Sequence, residues 1–191
     1  PKFLHYTPNT AIITSVEFDH ADIFHDLNHV KQTFAALIEH LPAHAQLLVY
    51  DGDANVADLL ISHPHPVTTY GHSVQSDWRL GEISIASPFT SFEVFHHNQL
   101  YAEFKTRMIG RHNMLNFLAG IAVGESLKID RQTMADALAT FQGVHRRQQV
   151  RGVKNNIIVI DDFAHHPTAV KVTIEAVKAF YNHHRLVAVF E

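Results

Sequence analysis

The sequence predicts a mixed α/β fold: a parallel-sheet βαβ core, a small antiparallel hairpin region, and the start of a second α/β unit. Three observations predict it. Short apolar runs alternate with helix-period segments over the first 70 residues. The texture then switches to period-two alternation between Trp78 and Met108. A fresh apolar run at Ile157 is followed by a proline that suits the first position of a helix.

Each element has its own local reason. Ala11 to Thr14 (AIIT) follows Pro8-Asn9 and reads as a strand, after which Leu27, Val30, Phe34, Leu37, Ile38 and Leu41 recur at helical spacing until Pro42. Leu47 to Tyr50 is the next strand, Asp53 caps a helix carrying Val56, Leu59 and Leu60, and Val67 to Tyr70 is a third strand. Strands and helices alternating through short links call for parallel pairing covered on both faces. The stretches RLGEISIAS and SFEVFHHNQLYAEFKTR read as an antiparallel hairpin or small meander turning at His97-Asn98-Gln99. A mostly apolar helix runs from about Asn113 to Leu127, and a second, capped by Asp130, carries Met134, Leu138 and Phe141 and is ended by Gly143.

The last segment reads as a new βαβ unit. Ile157 to Ile160 is its strand, Pro167 starts the helix, Val170, Ile174, Val177 and Tyr181 form the buried stripe, and Leu186 to Phe190 is a final strand. The polar, basic stretch from His145 to Gly152 marks the domain boundary, giving domains 1–144 and 145–191. The chain opens on Pro1-Lys2-Phe3 and closes just after an apolar strand run, as expected of a piece of a longer protein.

Composition bounds the function. With 191 residues, 46% hydrophobic and 18% charged, the chain has the balance of a folded globular protein and not of a disordered tail. A formal charge of −4 offers no general nucleic-acid or anionic-membrane footprint. No cysteine is present, so disulfides, thiol catalysis and cysteine-ligated zinc are excluded. The longest apolar candidate, His112 to Gly124, is well short of the roughly 20 residues that cross a bilayer, and a cytoplasmic protein is expected. The 17 histidines stand out, since full protonation would carry the formal charge from −4 to +13.

Four places carry candidate chemistry. Asp19-His20-Ala21-Asp22 lies just beyond the C-terminal end of the first strand, where ligands of open α/β sheets collect, and its imidazole and carboxylates suit a divalent cation or plain capping. In Gly110-Arg111-His112-Asn113-Met114-Leu115-Asn116, Asn113 and Asn116 share a face at a helix start, placed to read a purine edge or to cap. His145-Arg146-Arg147-Gln148-Gln149 offers guanidinium groups for phosphate, or a solvated linker. Asp161-Asp162-Phe163-Ala164-His165-His166-Pro167-Thr168 puts carboxylates and imidazoles at a strand end, where a carboxylate commonly takes ribose hydroxyls. The doublets His96-His97 and His183-His184 read as surface features. No glycine is followed by lysine and no GxGxxG occurs, so no phosphate-cradling loop is present in this stretch.

In this order, TSVEFDHADIF, GRHNMLN, FQGVHRRQQ and IDDFAHHPT resemble the Mur ligases, ATP-dependent amide-forming enzymes of peptidoglycan synthesis. The resemblance implies that residues 1–144 are the later part of a central ATPase domain and residues 145–191 the start of a Rossmann-like C-terminal domain. It implies ATP and Mg²⁺ as cofactors, His20 as a metal-side residue, and His112, Asn113 and Asn116 on the adenine side. Arg147 is implied at ATP phosphate, Asp162 at ribose, and His165 and His166 at the domain junction in catalytic positions. Gln149 departs from the family's acidic residue, and Lys31 sits in the helix of the carbamylated lysine but out of phase. EFDHADIF and DDFAHHPTA are most similar to the branch that joins UDP-N-acetylmuramate to the murein tripeptide L-alanyl-γ-D-glutamyl-meso-diaminopimelate, the branch adding L-alanine being the alternative. The partners implied are those two substrates, with no nucleic acid and no membrane, and the chain alone is expected to be inactive. A non-enzymatic alternative is a histidine-rich divalent-metal module.

Overall fold

The computed structural model describes residues 1–61 and 66–190. A six-stranded sheet in sequential order is formed by β1 (Thr10–Ile13), β2 (Gln46–Tyr50), β3 (Val67–Gly71), β4 (Trp78–Ala86), β5 (Phe89–His96) and β6 (Gln99–Thr106). The first four strands pair in parallel and β4, β5 and β6 form the antiparallel meander, so the core and the hairpin region share one continuous sheet.

The central strand explains the layers. Leu47, Leu48 and Val49 are all essentially inaccessible, as a parallel strand covered on both faces requires. Leu47 and Val49 join Ile13, Val30, Ile38 and Val56 beneath α1 (Leu27–Glu39) and α2 (Ala54–Leu59). Leu48 faces the other way, into a cluster with Tyr70, Leu80, Phe92, Phe104, Met114, Leu118 and Ile121, the last three from α3 (Arg111–Ser126). Next to it, α4 (Arg131–Thr140) adds Met134.

Aspartates set the helix starts. Asp26, Asp53 and Asp130 each accept backbone N–H bonds at the N-caps of α1, α2 and α4. Asp53 also accepts from Val16 N at 3.0 Å, and Asn55 Nδ2 donates to Val16 O at 2.8 Å, which ties the loop after β1 to the β2–α2 turn. At α3 the cap is Gly110, with φ 90°; His112 and Asn113 lie inside the helix and do not cap it. Gly143 does not end α4, which stops at Thr140 with Phe141 extended.

Parallel neighbours usually need a crossover of a dozen or more residues, yet β3 and β4 are joined by residues 72–77 alone and share only a two-residue ladder. Asp51 holds that tight link. Its carboxylate accepts from His72 N at 3.0 Å, Ser73 N at 2.8 Å and Ser76 Oγ at 2.6 Å. Asp77 closes the other end on Thr69 N and Oγ1 at 2.8 and 2.9 Å.

The final segment differs from its expected form. Residues 149–154, expected to be linker, form β7 (Gln149–Lys154), which pairs antiparallel with β8 (Ile157–Asp161). Asn155 and Asn156 take the left-handed conformations of the turn, at φ 49° and 61°. Two asparagines there are a hairpin signal that outweighs the polar texture of the stretch. Helix α5 (Pro167–Phe180) starts with proline as expected and docks through Ala176 and Val177 on Ile109 and Ile160. Leu186 to Phe190 is not a strand, and Val189 and Phe190 are exposed. An apolar run becomes a strand only where a neighbour completes its ladder, and among the described residues none pairs with it.

A Cβ on Gly71 would fall on the Asp51 carboxylate. Gly71→Ala is therefore expected to displace Asp51 from the 72–77 link and destabilise the fold by about 2–3 kcal/mol, the scale of a broken buried polar network. Urea unfolding of variant and parent checks this; an unchanged midpoint would show that the link does not depend on Asp51.

Candidate functional site

The C-terminal ends of β1, β2 and β3, the N-terminus of α3 and the two loops that flank the β7–β8 hairpin meet along one edge of the molecule. Two groups of side chains form there.

The first is built around a strained turn. Arg146 and Gln148 both adopt left-handed conformations, with φ 58° and 50°, which cost β-carbon-bearing residues free energy and persist only when surroundings fix them. The fixing contacts are Arg147 N to Val144 O at 3.0 Å, Phe163 N to Arg146 O at 2.8 Å, and Arg146 N to Gln149 Oε1 at 3.1 Å. The neutral Gln149 side chain thus supplies the acceptor oxygen that a carboxylate would supply.

Gln148 links the two halves of the chain. Its backbone N–H donates to Asp162 Oδ2 at 2.8 Å, its Oε1 accepts from Asn113 Nδ2 at 2.9 Å, and its Nε2 lies 3.3 Å from His112 Nε2. His112, Asn113 and Asp162 are thereby brought together. Asp162 Oδ1 accepts from Ala164 N at 2.7 Å, leaving lone pairs free on both oxygens. Asn116 lies one turn further along α3 and is exposed. The guanidinium of Arg147 lies 5.4 Å from the ring centre of Phe163. Carboxamides, a neutral imidazole and one carboxylate suit a base and ribose hydroxyls, and the flanking arginine suits an anion.

The adjacent carboxylates separate by role. Asp161 takes two bonds from Arg151, at 3.1 and 2.7 Å, and lies 3.9 Å from Arg146; these cations hold it below the usual carboxylate range. Asp161 therefore closes the β7–β8 hairpin, while Asp162 turns toward α3.

The second group joins the loop after β1 to the start of α5. Thr168 Oγ1 donates to Glu17 Oε2 at 2.8 Å, and His166 Nδ1 lies 3.5 Å from the same oxygen. His20 has φ 56°, and its N–H donates to Asp19 Oδ1 at 2.7 Å. That bond, followed by the field of His20, His166 and His165, lowers the Asp19 pKa. His165 is exposed, with Nδ1 3.0 Å from Phe163 O. Among the described residues no three metal-ligating side chains cluster, so His20 and its neighbours do not make a complete Mg²⁺ site, a cation that favours oxygen ligands and octahedral geometry. The same observation weighs against the histidine-rich metal module; His63 and His65 lie outside the described residues. Lys31 pairs with Asp58 at 2.6 Å. His96 is not a free surface ring, since it stacks on Trp78 with ring centres 4.0 Å apart.

Gln148, Glu17 and Thr168 are the residues that sequence reasoning did not single out. All three sit inside the motifs named above, but the side-chain partners of Gln148 on α3 lie 35 and 36 residues away and Glu17 lies 151 residues from Thr168, and no local spacing carries that information.

A family model described as the Mur ligase middle domain matches residues 2–124, and one described as the Mur ligase glutamate ligase domain matches residues 145–191. The chain belongs to the Mur ligase family. Its relatives include a UDP-N-acetylmuramate–L-alanine ligase of Geobacter sp. (strain M21), 37% identical over 100% of this chain and 41% of that protein. Among solved structures, the UDP-N-acetylmuramate-alanine ligase of Thermotoga maritima aligns with a TM-score of 0.78 at 27% identity, over 94% of this chain and 40% of that one. The UDP-N-acetylmuramate:L-alanyl-γ-D-glutamyl-meso-diaminopimelate ligase of Neisseria meningitides aligns at 0.66 and 33% identity, over 76% and 44%. The chain thus spans about two fifths of the length of the curated relatives it matches. Mur ligases are ATP-dependent ligases of peptidoglycan synthesis, and among the described residues of this chain no helix is long and apolar enough to cross a membrane. The curated relatives support the L-alanine branch, the alternative in the sequence reading, better than the tripeptide branch expected first.

Burial pushes the His112 pKa down, with Asp162 partly opposing; burial, helped by Arg111, does the same to His72. Both rings are neutral in the folded state, whereas the unfolded chain takes up protons on them below about pH 6.5. Their contribution to stability is constant above that pH and is lost as pH falls toward the lowered folded values. The melting temperature is expected to drop on acidification from pH 7.5 to 5.5, with a shallower slope in His112→Gln. An equal slope in parent and variant would show that His112 titrates alike in both states.

Proposed function

We propose that this chain is the later part of the central ATPase domain (1–144) and the start of the C-terminal domain (145–191) of an ATP-dependent, ADP-forming ligase that joins UDP-N-acetylmuramate to L-alanine. The observation that carries the reading is the convergence of His112, Asn113 and Asp162 on Gln148, across the gap between the two family-matched segments.

In this reading His112, Asn113 and Asn116 take the adenine side, Asp162 accepts from the ribose hydroxyls, and Arg147 meets phosphate. The γ-phosphoryl group passes from ATP to a carboxylate oxygen of the muramyl group, releasing ADP and leaving an acyl phosphate. The acceptor amine then attacks the carbonyl carbon, phosphate leaves, and the amine gives up a proton. Little covalent chemistry falls to the protein, so positioning and charge stabilisation supply most of the rate. Mg²⁺ accompanies the nucleotide in this proposal, with His20 nearest to it in role, and ligands beyond this chain's own residues complete its shell. His165 and His166, at the start of α5, face the junction where the acceptor would enter.

A second reading has the murein tripeptide as acceptor. It is favoured by the Neisseria tripeptide ligase, whose 33% identity exceeds the 27% of the Thermotoga alanine ligase. ADP release by the full-length enzyme, with UDP-N-acetylmuramate and either acceptor, separates the two. Release with L-alanine is expected; release with the tripeptide alone selects the second reading, and release with neither overturns both.

Arg147→Ala in the full-length enzyme is expected to lower kcat by about 10²–10³, the usual cost of removing a positioned charge-stabilising donor. Arg147→Lys should also fall measurably, because an ammonium lacks the planar fork. Arg146→Ala should be milder, since Arg146 is shared with Asp161 and Phe163. Steady-state kinetics check this: a normal kcat with a raised KM for ATP in Arg147→Ala would make Arg147 a ground-state binding residue.

A further inference from the structure

The hydrogen bonds around Gln148 fix one another's direction, beginning from a backbone carbonyl whose role is unambiguous. Ile109 O can only accept, so the group of Asn113 facing it at 2.7 Å is the amide Nδ2. The second hydrogen of that same Nδ2 points to Gln148 at 2.9 Å, so Gln148 presents its oxygen there. The Gln148 amide nitrogen then faces His112 Nε2 at 3.3 Å and can only donate. His112 Nε2 is therefore an acceptor, and the ring is the neutral tautomer with its proton on Nδ1. The partial burial of His112 agrees with a neutral ring.

This has a consequence for Asn113. Both of its amide hydrogens are consumed, one by Ile109 O and one by Gln148 Oε1, while no donor among the described residues reaches its Oδ1. Asn113 is thereby left with an accepting edge only. A free carboxamide can turn over and serve as donor or acceptor; this one cannot.

We infer that Gln148 is a positioning residue that sets the hydrogen-bonding polarity of the nucleoside wall, so that Asn113 offers an acceptor to an exocyclic amine, as adenine has, and opposes a carbonyl oxygen, as guanine has at the same position. The backbone N–H of the same residue holds Asp162. One side chain and its own main chain thus orient the base side and the ribose side together. The turn that carries it is strained, with left-handed backbone at Arg146 and Gln148, and such a turn is retained only where its surroundings fix it. The inference rests on the adenosine reading given above and goes beyond it in naming what makes the wall selective.

The test uses two variants of the full-length enzyme and both nucleotides. Gln148→Met keeps the length and removes both polar contacts. It is expected to narrow the ATP-over-GTP ratio of kcat/KM by about tenfold, the scale of one misplaced buried hydrogen bond, through the KM for ATP and with kcat at saturating ATP little changed. Gln148→Glu keeps the oxygen that receives Asn113 and is expected to retain the ATP preference. A ratio unchanged in Gln148→Met, or lost equally in Gln148→Glu, overturns the inference. If the parent enzyme turns over no ATP, the adenosine reading itself fails, and the two failures are told apart. Imidazole ¹⁵N resonances of this 191-residue chain give a readout independent of any nucleotide: His112 is expected as the Nδ1–H tautomer at neutral pH, and an Nε2–H tautomer overturns the inference even if Gln148→Met fails to fold.

Discussion

Burial of β2 on both of its faces is the constraint from which the other placements follow. With Leu47, Leu48 and Val49 all removed from water, each side chain contributes about 1.5–3 kcal/mol of transfer free energy, and helices must cover both sides for the gain to be realised. That fixes α1 and α2 on one face and α3 on the other. No polar side chain can sit along such a strand without a partner. Polar chemistry is therefore displaced to the strand ends, where Asp51 and Asp53 begin immediately after Tyr50. Both are consumed in structure, Asp51 by the tight β3–β4 link and Asp53 by the α2 cap and the loop after β1. The carboxylates nearest the core thus serve as scaffold, and the chemistry falls to groups carried by the loops they hold in place.

The two site groups are joined differently. The Glu17–Thr168 and Glu17–His166 contacts lie near the surface and join side chains only, and such contacts contribute little to stability. The Gln148 contacts are partly buried and anchored by two backbone groups, Ile109 O and Gln148 N–H. The second arrangement resists reorientation and suits discrimination between ligands. The first is joined by side chains alone and can rearrange at little cost.

Legibility in the sequence followed the range of the interaction responsible. Strand and helix periodicity, the aspartate caps at Asp53 and Asp130, and Pro167 at the start of α5 are decided within a few residues, and those elements stand where the spacing put them. The β7–β8 hairpin was concealed because Arg151 and Lys154 give it the composition of a linker. Its determinants are the Asn155-Asn156 turn and the pairing of Arg151 with Asp161 across the ladder. The run from Leu186 to Phe190 shows the converse: apolar content makes strand formation possible, and a partner makes it occur. At the site, GRHNMLN and IDDFAHHPT were visible as motifs, yet nothing in their spacing separates Asp161, which staples a hairpin, from Asp162, which faces α3.

The histidines follow the same physical sorting. His72 and His112 are partly buried, neutral and engaged by fixed donors, from Arg111 Nε and Gln148 Nε2 respectively. His112 accepts through Nε2 and adds no charge, whereas Arg111 faces both ring nitrogens of His72, at 3.0 and 3.1 Å. His20 and His166 lie instead beside carboxylates, His20 next to Asp19 and His166 Nδ1 3.5 Å from Glu17 Oε2, and His165 is exposed. The rings shifted toward neutrality are thus those held by neighbouring donors, and the rings around the loop after β1 are those that meet carboxylates. Seventeen histidines in one chain thus do not act as one property of the protein; each ring's burial and the groups facing it decide whether it accepts from a fixed donor, supports a stack or meets a carboxylate.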